Sequence, residues 1–328
     1  MLRKVFLCVF FVALCVFAYG QDKSFTLRDI WNRDPCILPV DEEKCYYFYK
    51  SSSVWQDGVE YGGVVAYKSH DLVNWEGPVR VFDVPRDNHL TGCVWAPEVH
   101  KYNGAYYLFA TLNSDISWKR KDEGHSPYTH RGTQIFRSES PEGPFLPFKE
   151  KRPQTPLGQM CLDGTLWVEN DIPYMIYCRE WVETHDGEMY VVELSEDLSM
   201  PVGEPIRLFC ASSAEWCTSF GDGHYVTDGC FLYRTSTGKL LMIWSSMSGP
   251  DYVVGIAESA TGRVHGPWRQ QKKLLYSMNG GHGMIFRTFD GRLCLTLHAP
   301  NSGADPRAHI YELKDTGETL LIKKNYNL

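Results

Sequence analysis

Tyr46-Tyr47-Phe48-Tyr49 is the first of five short apolar runs that recur along the chain at intervals of 53 to 68 residues. The others are Tyr106-Tyr107-Leu108-Phe109, Tyr174-Met175-Ile176-Tyr177, Leu240-Leu241-Met242-Ile243-Trp244 and Leu293-Cys294-Leu295-Thr296-Leu297. Each run has the length and composition of a buried β-strand. Four of the five segments also end on a second marker: Gly77-Pro78, Gly143-Pro144, Pro205 and Gly266-Pro267. Two markers that recur in phase indicate a repeat.

The repeat length predicts the fold class. A unit of about 60 residues is too long for one coil of a solenoid and suits a propeller blade of several strands. Five units therefore predict an all-β protein, a five-bladed β-propeller. In such a fold each blade packs against two neighbours, and the innermost strands line a central channel. Polar residues where the innermost strands begin are then expected to converge on one axial site.

The first 20 residues have the pattern of a signal peptide. Arg3 and Lys4 precede an apolar stretch over residues 5–17, and Ala18-Tyr19-Gly20 supplies small residues before a cleavage point at Gln21. We expect residues 1–20 to be removed, residues 21–328 to form the propeller domain, and the product to be exported to the periplasm or the extracellular space. No later stretch is apolar for long enough to predict a membrane span.

Charge and cysteine content exclude some partners. Without Arg3 and Lys4, 31 basic residues stand against 40 acidic ones, a net charge of −9 with His neutral. Such a balance favours solubility and disfavours nucleic acid as a partner. Nine cysteines remain, with no Cys-x-x-Cys pair and so no zinc-ribbon pattern. Export permits a disulfide, for instance between Cys210 and Cys217, but the pairing stays open.

Acidic residues open three of the segments. They occur in Arg33-Asp34-Pro35, Leu162-Asp163-Gly164-Thr165 and Thr227-Asp228-Gly229-Cys230. An isolated Arg-Asp-Pro would predict only a turn with an Asp beside an Arg. Its place in the repeat favours a function, because matching points of different blades face one another across the axis. We therefore predict that Asp34, Asp163 and Asp228 meet in the channel.

Taken in order and at blade spacing, four motifs resemble those of glycoside hydrolase family 43. They are Arg33-Asp34-Pro35, Trp95-Ala96-Pro97-Glu98-Val99 with the Tyr106 run behind it, Leu162-Asp163-Gly164-Thr165, and Gly280-Gly281-His282-Gly283. The family consists of five-bladed propellers that include arabinofuranosidases, xylosidases, arabinanases and galactosidases. The resemblance covers the mature chain. It implies a catalytic domain that hydrolyses glycosidic bonds of oligo- or polysaccharides with inversion.

Inversion needs a carboxylate that activates water and a protonated carboxyl that protonates the leaving oxygen. The resemblance assigns the general base to Asp34. It assigns Asp163 the task of orienting the acid and adjusting its pKa. The family's acid is usually a Glu followed by Gly-Pro or Ala-Pro at the start of the fourth blade, where this chain has Asp228-Gly229-Cys230. Asp228 is therefore the leading candidate, although its side chain is one methylene shorter.

Two glutamates compete with Asp228 for the role of acid. Glu180, in Cys178-Arg179-Glu180-Trp181, ends a predicted third-blade strand and could project into the same pocket. It could equally form an ion pair with Arg179 or accept a sugar hydroxyl. Glu215, on a predicted loop, is a weaker candidate.

Substrate contacts are expected from aromatic and charged residues near the blade openings. Sugar rings stack their C–H faces on flat side chains, and we expect Trp95 and Trp181 to do this, ahead of Trp31 and Trp216. Most aromatics in the chain are expected to pack between blades. Arg33 is expected to contact substrate as well.

Three polar residues have alternative interpretations. Glu98 either binds sugar hydroxyls or pairs with Lys101 or Arg33. The resemblance places a metal ion, frequently Ca²⁺, in the central channel beside His282, although calcium prefers oxygen ligands. No other cofactor is expected. His298 is expected to be a packing residue at the end of a strand.

Three functions are compatible with these patterns. The resemblance favours an exo-acting α-L-arabinofuranosidase that trims side chains of plant polysaccharides. The same scaffold could instead carry a β-xylosidase or an exo-galactosidase. A propeller that only binds carbohydrate would explain Asp228 in the place of Glu, but it would have no need for both Asp34 and Asp163. We expect the protein to be a monomer.

Overall fold

Five antiparallel sheets of four strands each make up the protein. The computed structural model describes residues 24–56, 58–119, 128–221, 223–303 and 305–325. Each sheet consists of four consecutive strands. The first sheet has β1 (Cys36–Val40), β2 (Cys45–Gln56), β3 (Val59–Ser69) and β4 (Glu76–Asp83), and the second has β5 (Val94–Tyr102), β6 (Ala105–Lys119), β7 (Tyr128–Ser138) and β8 (Leu146–Pro147). The third has β9 (Cys161–Glu169), β10 (Ile172–Arg179), β11 (Glu188–Leu194) and β12 (Pro201–Cys210), and the fourth has β13 (Asp228–Arg234), β14 (Leu240–Ser248), β15 (Asp251–Ser259) and β16 (Trp268–Gln270). The fifth has β17 (Gly281–Arg287), β18 (Leu293–Ala299), β19 (Arg307–Asp315) and β20 (Leu320–Asn325). One short helix, α1 (Trp181–Thr184), follows β10.

The first strands of the five sheets form a closed ring. β1 contacts β5, β5 contacts β9, β9 contacts β13, β13 contacts β17, and β17 contacts β1. These strands therefore surround a common axis, with the other three strands of each sheet stacked outwards. The prediction of a five-bladed β-propeller is confirmed.

The apolar runs form the second strand of each blade, and their alternation explains why they are apolar throughout. In β2, Tyr46 and Phe48 belong to the cluster packed between blades one and five, whereas Tyr47 and Tyr49 belong to the cluster between blades one and two. None of the four is more than 5% exposed. Successive side chains of a strand point to opposite faces, and here both faces are buried. The core thus consists of five clusters, one between each pair of neighbouring blades.

Residues before β1 join the first blade to the last. Asn32 donates its backbone N–H to Pro306 O over 3.1 Å, and Arg33 Nη1 donates to Asn301 Oδ1 over 2.8 Å. These bonds tie the beginning of blade one to loops of blade five. They place Asp34 at the mouth of the channel.

The two hairpins β2–β3 and β6–β7 are longer than the others. Their strands have 11 to 15 residues, whereas the matching strands of the other blades have 7 to 9. Cys36, at the start of β1, pairs with Tyr49, so residues 50–56 extend beyond the ring on the side where the innermost strands begin. Blades one and two therefore raise a wall along one side of that face.

Other sequence predictions concern the termini and the cysteines. The predicted signal peptide, residues 1–20, lies outside the described residues. Among the described residues, no helix has the length and apolarity needed to cross a bilayer. Cys210 and Cys217 are both free thiols, and Cys217 Sγ lies 3.0 Å from Ser246 Oγ. The disulfide considered between them is therefore not formed.

Candidate active site

All five innermost strands begin with a residue in the left-handed backbone region. The φ angles are 53° at Asp34, 41° at Ala96, 57° at Asp163, 53° at Gly229 and 51° at His282. In blades two to five this residue opens a bulge in which two residues face one on the neighbouring strand. Such bulges bend a strand and redirect its side chains. Left-handed backbone is unfavourable for residues other than glycine and is concentrated at functional sites.

The bulge shows which residues occupy equivalent positions in the repeat. Asp34, Asp163 and His282 occupy the left-handed position of blades one, three and five. In blade four that position belongs to Gly229, and Asp228 lies one residue earlier, paired with Ser245. The expectation that three Asp residues match across blades is therefore right for Asp34 and Asp163 and wrong by one residue for Asp228. Asp228 still reaches the same cavity.

The backbone N–H at the left-handed position is bound by a side chain from the preceding blade. Asp163 N–H donates to Thr111 Oγ1 over 2.9 Å, and His282 N–H donates to Ser245 Oγ over 2.8 Å. Asp34 N–H donates to His298 Nδ1 over 3.1 Å. These acceptors lie on the second strands of blades two, four and five. Blades two, four and five thus each position the site residue of the next blade around the ring.

A cavity of about 400 Å³ lies where these residues meet. This volume is within the range of small-ligand sites. Its walls are formed by Arg33, Asp34, Trp95, Leu162, Asp163, Glu180, Trp181, Asp228, Tyr252, His282, His298 and Asn301. As predicted, Asp34, Asp163 and Asp228 meet at the mouth of the channel.

Asp34 is surrounded by groups that favour its charged form. Its Oδ1 lies 3.2 Å from His282 Nδ1. Burial alone would raise the pKa of Asp34, but the positive charges of His282 and Arg33 hold this pKa below its ordinary value. His298 Nε2 lies 3.1 Å from Asn301 Oδ1, an arrangement in which Nε2 carries the proton and Nδ1 can accept the Asp34 N–H. Asp34 is thus a carboxylate with a fixed backbone.

Asp163 is the most enclosed of the three acids, with 9% of its surface exposed. Its Oδ2 accepts the Gly229 N–H over 3.0 Å and lies 3.6 Å from His282 Nδ1. Burial, and then the negative charge of Asp34, raise the pKa of Asp163 well above its ordinary value. Asp163 therefore joins the third, fourth and fifth blades through one side chain.

Asp228 is held in a neutral form on the wall of the same cavity. Burial, and then the charge of Asp163, raise the pKa of Asp228 to about 8. Tyr252 OH lies 3.0 Å from Asp228 Oδ2 and donates to it. The pKa of Tyr252 is raised well above its ordinary value by burial and by Asp228, so the phenol keeps its proton. Because Oδ2 accepts that proton, the acidic proton of Asp228 is left on Oδ1.

Glu180 lines the cavity as an ion-pair partner of Arg131. Its Oε1 and Oε2 lie 3.4 Å from Arg131 Nη1 and 3.3 Å from Arg131 Nε, and the carboxylate is 6% exposed. The considered ion pair with Arg179 is wrong, since Arg179 lies against Glu183 and Glu188 instead. Arg131 also stacks on the Trp95 ring, 4.5 Å from its centroid.

Several other predicted residues have a clear location. Trp181 lines the cavity from the start of α1, and Arg33 lines it while bonded to Asn301. The expected pairing of Glu98 with Lys101 or Arg33 is wrong. Because the bulge at Ala96 shifts the strand, Glu98 instead bonds to His100 and Thr165 on the channel wall.

Glu215 and Trp216 are not parts of the site. Glu215 is an exposed residue that pairs with Lys272 over 3.2 Å. Trp216 is buried against Trp244 in the core between blades three and four, with ring centroids 4.8 Å apart. Both sequence candidates are therefore explained by surface charge and packing.

A metal ion at the predicted site would have to use the donors that lie near His282. Its Nδ1 faces two carboxylates, and within the described parts of the chain no three His, Cys, Asp or Glu side chains are grouped as metal ligands. Calcium takes about six to eight oxygen ligands. This donor set does not fit calcium by itself. Calcium beside His282 stays a prediction.

Three residues that line the cavity were not predicted as site residues from sequence: Tyr252, His298 and Asn301. Arg131, which pairs with the cavity residue Glu180, was not predicted either. For His298 a signal was present. Thr111, Ser245 and His298 each stand five residues after the beginning of an apolar run, where the strand reaches the mouth of the channel. The expectation that His298 only packs is wrong, because it holds the backbone of Asp34. No comparable pattern marks Tyr252 or Arg131.

Comparison with known proteins identifies the family of the chain. The model of glycosyl hydrolases family 43 matches residues 29–325. The chain belongs to this family. An endo-arabinase structure from Bacteroides thetaiotaomicron VPI-5482 is 36% identical, with a TM-score of 0.77, over 89% of this chain and 97% of that chain. A thermostable family-43 glycoside hydrolase is 25% identical, with a TM-score of 0.74, over 89% and 92%.

A more distant relative shares the fold of this family 43 protein. It is an endo-1,4-beta-xylanase structure from Bacteroides thetaiotaomicron VPI-5482, 23% identical, with a TM-score of 0.71 over 92% of this chain and 97% of that chain. Family 43 enzymes are glycoside hydrolases, for which inversion is characteristic. The protein is therefore a glycosidase that acts on carbohydrate.

Gly229 provides a test of the contact between blades four and five. A Cβ on Gly229 would lie 2.8 Å from His282 Cα and Cγ, and its φ is +53°. We expect Gly229→Ala to displace His282 and Asp163 and to lower kcat at least about tenfold. The backbone strain alone costs about 1 kcal/mol of unfolding free energy.

The matched control is Gly238→Ala. Gly238 has a φ of +90°, but a Cβ there would meet no atom within 4 Å. It should lower the melting temperature without changing kcat. Equal kcat values in the two variants would contradict the role given to the Gly229 contact.

Proposed function

We propose that the protein is an exported, exo-acting α-L-arabinofuranosidase that removes arabinose from plant polysaccharides with inversion. One observation carries the chemistry: Asp34 and Asp228 line one cavity, and their surroundings shift their pKa values in opposite directions. Such a pair is suited to base and acid catalysis. The choice of arabinose is supported by the 36% identity with an endo-arabinase. Export rests on the sequence pattern of residues 1–20.

Asp34 acts as the general base in this proposal. Its lowered pKa keeps it ionised, so it can accept a proton from a water molecule on one face of the sugar. The water oxygen bonds to the anomeric carbon as its proton moves to the Asp34 carboxylate. The bond from His298 to the Asp34 backbone keeps the carboxylate from turning away.

Asp228 acts as the general acid. Its proton on Oδ1 is given to the glycosidic oxygen as the bond between that oxygen and the anomeric carbon breaks. Asp228 is left ionised and Asp34 protonated, and exchange with solvent restores both. Tyr252 is a positioning residue, because its hydrogen bond to Oδ2 decides which oxygen carries the acidic proton.

Asp163 adjusts the acid and His282 stabilises the base. Asp163 and Asp228 cannot easily be charged at the same time, and this coupling raises the pKa of Asp228. His282 lies within 3.6 Å of a carboxylate oxygen of both Asp34 and Asp163. Glu180, paired with Arg131, accepts a sugar hydroxyl in this scheme. Trp95 and Trp181 offer apolar faces to the sugar ring.

Leaving-group dependence tests the two roles. We expect Asp34→Asn to abolish hydrolysis of every α-L-arabinofuranoside, because no group remains to activate water. Asp228→Asn should lower kcat at least about 100-fold on a nitrophenyl or natural glycoside. On a dinitrophenyl glycoside, whose leaving group needs little protonation, its kcat should recover. Glu180→Gln is the matched control and should show no such recovery. Recovery in Glu180→Gln instead of Asp228→Asn would move the role of acid to Glu180.

The pH profile tests the same assignment independently. Asp228 must be protonated, so kcat/KM should fall as pH rises through about 8. Asp34 must be ionised, and its lowered pKa should keep activity constant from neutral pH down to mildly acidic pH. With the dinitrophenyl substrate the alkaline fall should disappear. If the fall persists with that substrate, it belongs to a group other than the acid.

Products distinguish exo from endo action. We expect single arabinose units from branched arabinan at all reaction times, with the inverted anomer formed first in the NMR spectrum. The second candidate is an endo-acting arabinanase, favoured by the name of the 36% identical relative. It would release oligosaccharides from linear arabinan early in the reaction. Hydrolysis of xylosides or galactosides with no hydrolysis of arabinofuranosides would contradict both.

A further inference from the structure

Four aromatic rings form a stack where α1 of blade three meets the loop that leads into blade four. The ring centroid of His224 lies 4.9 Å from that of His185, with 12° between the planes, and 5.4 Å from that of Trp181. Phe220 completes the stack against Trp181, with centroids 5.9 Å apart and planes at 70°. Aromatic rings attract one another at such separations. His224 therefore contacts residues at both ends of the single turn of α1.

Backbone hydrogen bonds hold the same two segments together next to the stack. Tyr225 N–H donates to His185 O over 2.8 Å, and Gly187 N–H donates to Tyr225 O over 2.8 Å. A Cβ on Gly187 would lie 2.4 Å from Thr227 Oγ1, so a larger residue there would force the segments apart. The His224 side chain lies beside these bonds and is 4% exposed. The imidazole of His224 is therefore a fixed support for α1.

The stack supports one wall of the catalytic cavity. Among the described residues, the lining of this cavity includes Trp181 but not His224. Because α1 is one turn of four residues, it is not stable by itself, and the orientation of the Trp181 ring depends on what packs against it. Phe220 is 53% exposed, whereas His224 is buried. His224 is therefore the more rigid of the two rings that contact Trp181.

We propose that His224 is a positioning residue for hydrolysis, which holds the Trp181 ring at the angle that the sugar requires. The inference rests on the proposed function, since that function makes Trp181 a sugar contact. His224 also stands four residues before Asp228 in the chain. Between them, Val226 O accepts a hydrogen bond from Ser246 Oγ over 2.6 Å. One short, anchored segment therefore supports the stacking ring and leads to the acid.

Replacement of the His224 ring tests this role through KM. We expect His224→Ala to raise KM for an aryl α-L-arabinofuranoside about tenfold and to change kcat less than about twofold, because Trp181 loses its support. His224→Phe keeps a flat ring and should restore most of the loss, whereas His224→Leu, which is apolar but not flat, should not. In a Trp181→Ala background, His224→Ala should add little, since the contact through which it acts is already gone.

The matched control is Phe209→Ala. Phe209 is 8% exposed, and its ring centroid lies 5.4 Å from that of Trp244 with 54° between the planes, against 5.4 Å and 57° for His224 and Trp181. Trp244 packs in the core between blades three and four, so Phe209→Ala should lower the melting temperature without changing KM. An unchanged KM in His224→Ala, equal restoration by Leu and Phe, or full additivity with Trp181→Ala would overturn the role given to His224.

A second measurement makes the test independent of the sugar. Hydroxyl-radical labelling with mass spectrometry reports the solvent accessibility of single tryptophans, and Trp181 should react faster in His224→Ala but not in Phe209→Ala. Unchanged labelling of Trp181 in His224→Ala would contradict its support by His224, whichever glycoside the wild type hydrolyses. If the wild type hydrolyses xylosides or galactosides but no arabinofuranoside, the proposed function fails, and the KM test of His224 is carried out on the glycoside that is hydrolysed.

Discussion

The left-handed residue at the head of each innermost strand is the constraint on which the site depends. This backbone costs about 1 kcal/mol or more for residues other than glycine, and in blades two to five it opens a bulge. In four blades the backbone N–H of the left-handed residue is bound by a side chain of the preceding blade: Thr111, Asp163, Ser245 or His298. The site residues are therefore held only when neighbouring blades are assembled. The closed ring of blades therefore both buries the five apolar clusters and orients the acids.

Electrostatic asymmetry around that ring separates the acid from the base. Asp34 and Asp228 are both partly buried carboxyl groups, and loss of solvent alone would raise both pKa values. The positive charges of His282 and Arg33 reverse the effect for Asp34. Asp163 and Asp228 cannot easily be charged at the same time, and this coupling reinforces the effect for Asp228. A ring with identical side chains in every blade would give its acids similar pKa values, so the differences between blades are what the chemistry requires.

The fold and most acids could be predicted from sequence because both depend on periodic features. Apolar runs such as Tyr46-Tyr47-Phe48-Tyr49 are continuous since both faces of a blade are buried, and Asp34 and Asp163 occur at the same point of the repeat. What could not be predicted depends on register within one blade. The bulge places Asp228 one residue before its expected position and turns Glu98 towards His100. Tyr252 lines the cavity and Arg131 pairs with Glu180, each from a third strand, where no repeated motif marks them.

Asp228 in the place of the family's usual Glu raises the question of whether catalysis survives. A shorter acid needs its backbone nearer to the sugar. Gly229 permits this, because it has no Cβ and blade four can therefore pack directly against His282. Tyr252 then orients the carboxyl group, and burial with Asp163 keeps it protonated near neutral pH. A propeller that only bound carbohydrate would gain nothing from a neutral acid facing an ionised one, since either form accepts hydrogen bonds from sugar hydroxyls. The opposed protonation states of Asp34 and Asp228 are therefore better explained by hydrolysis than by binding alone.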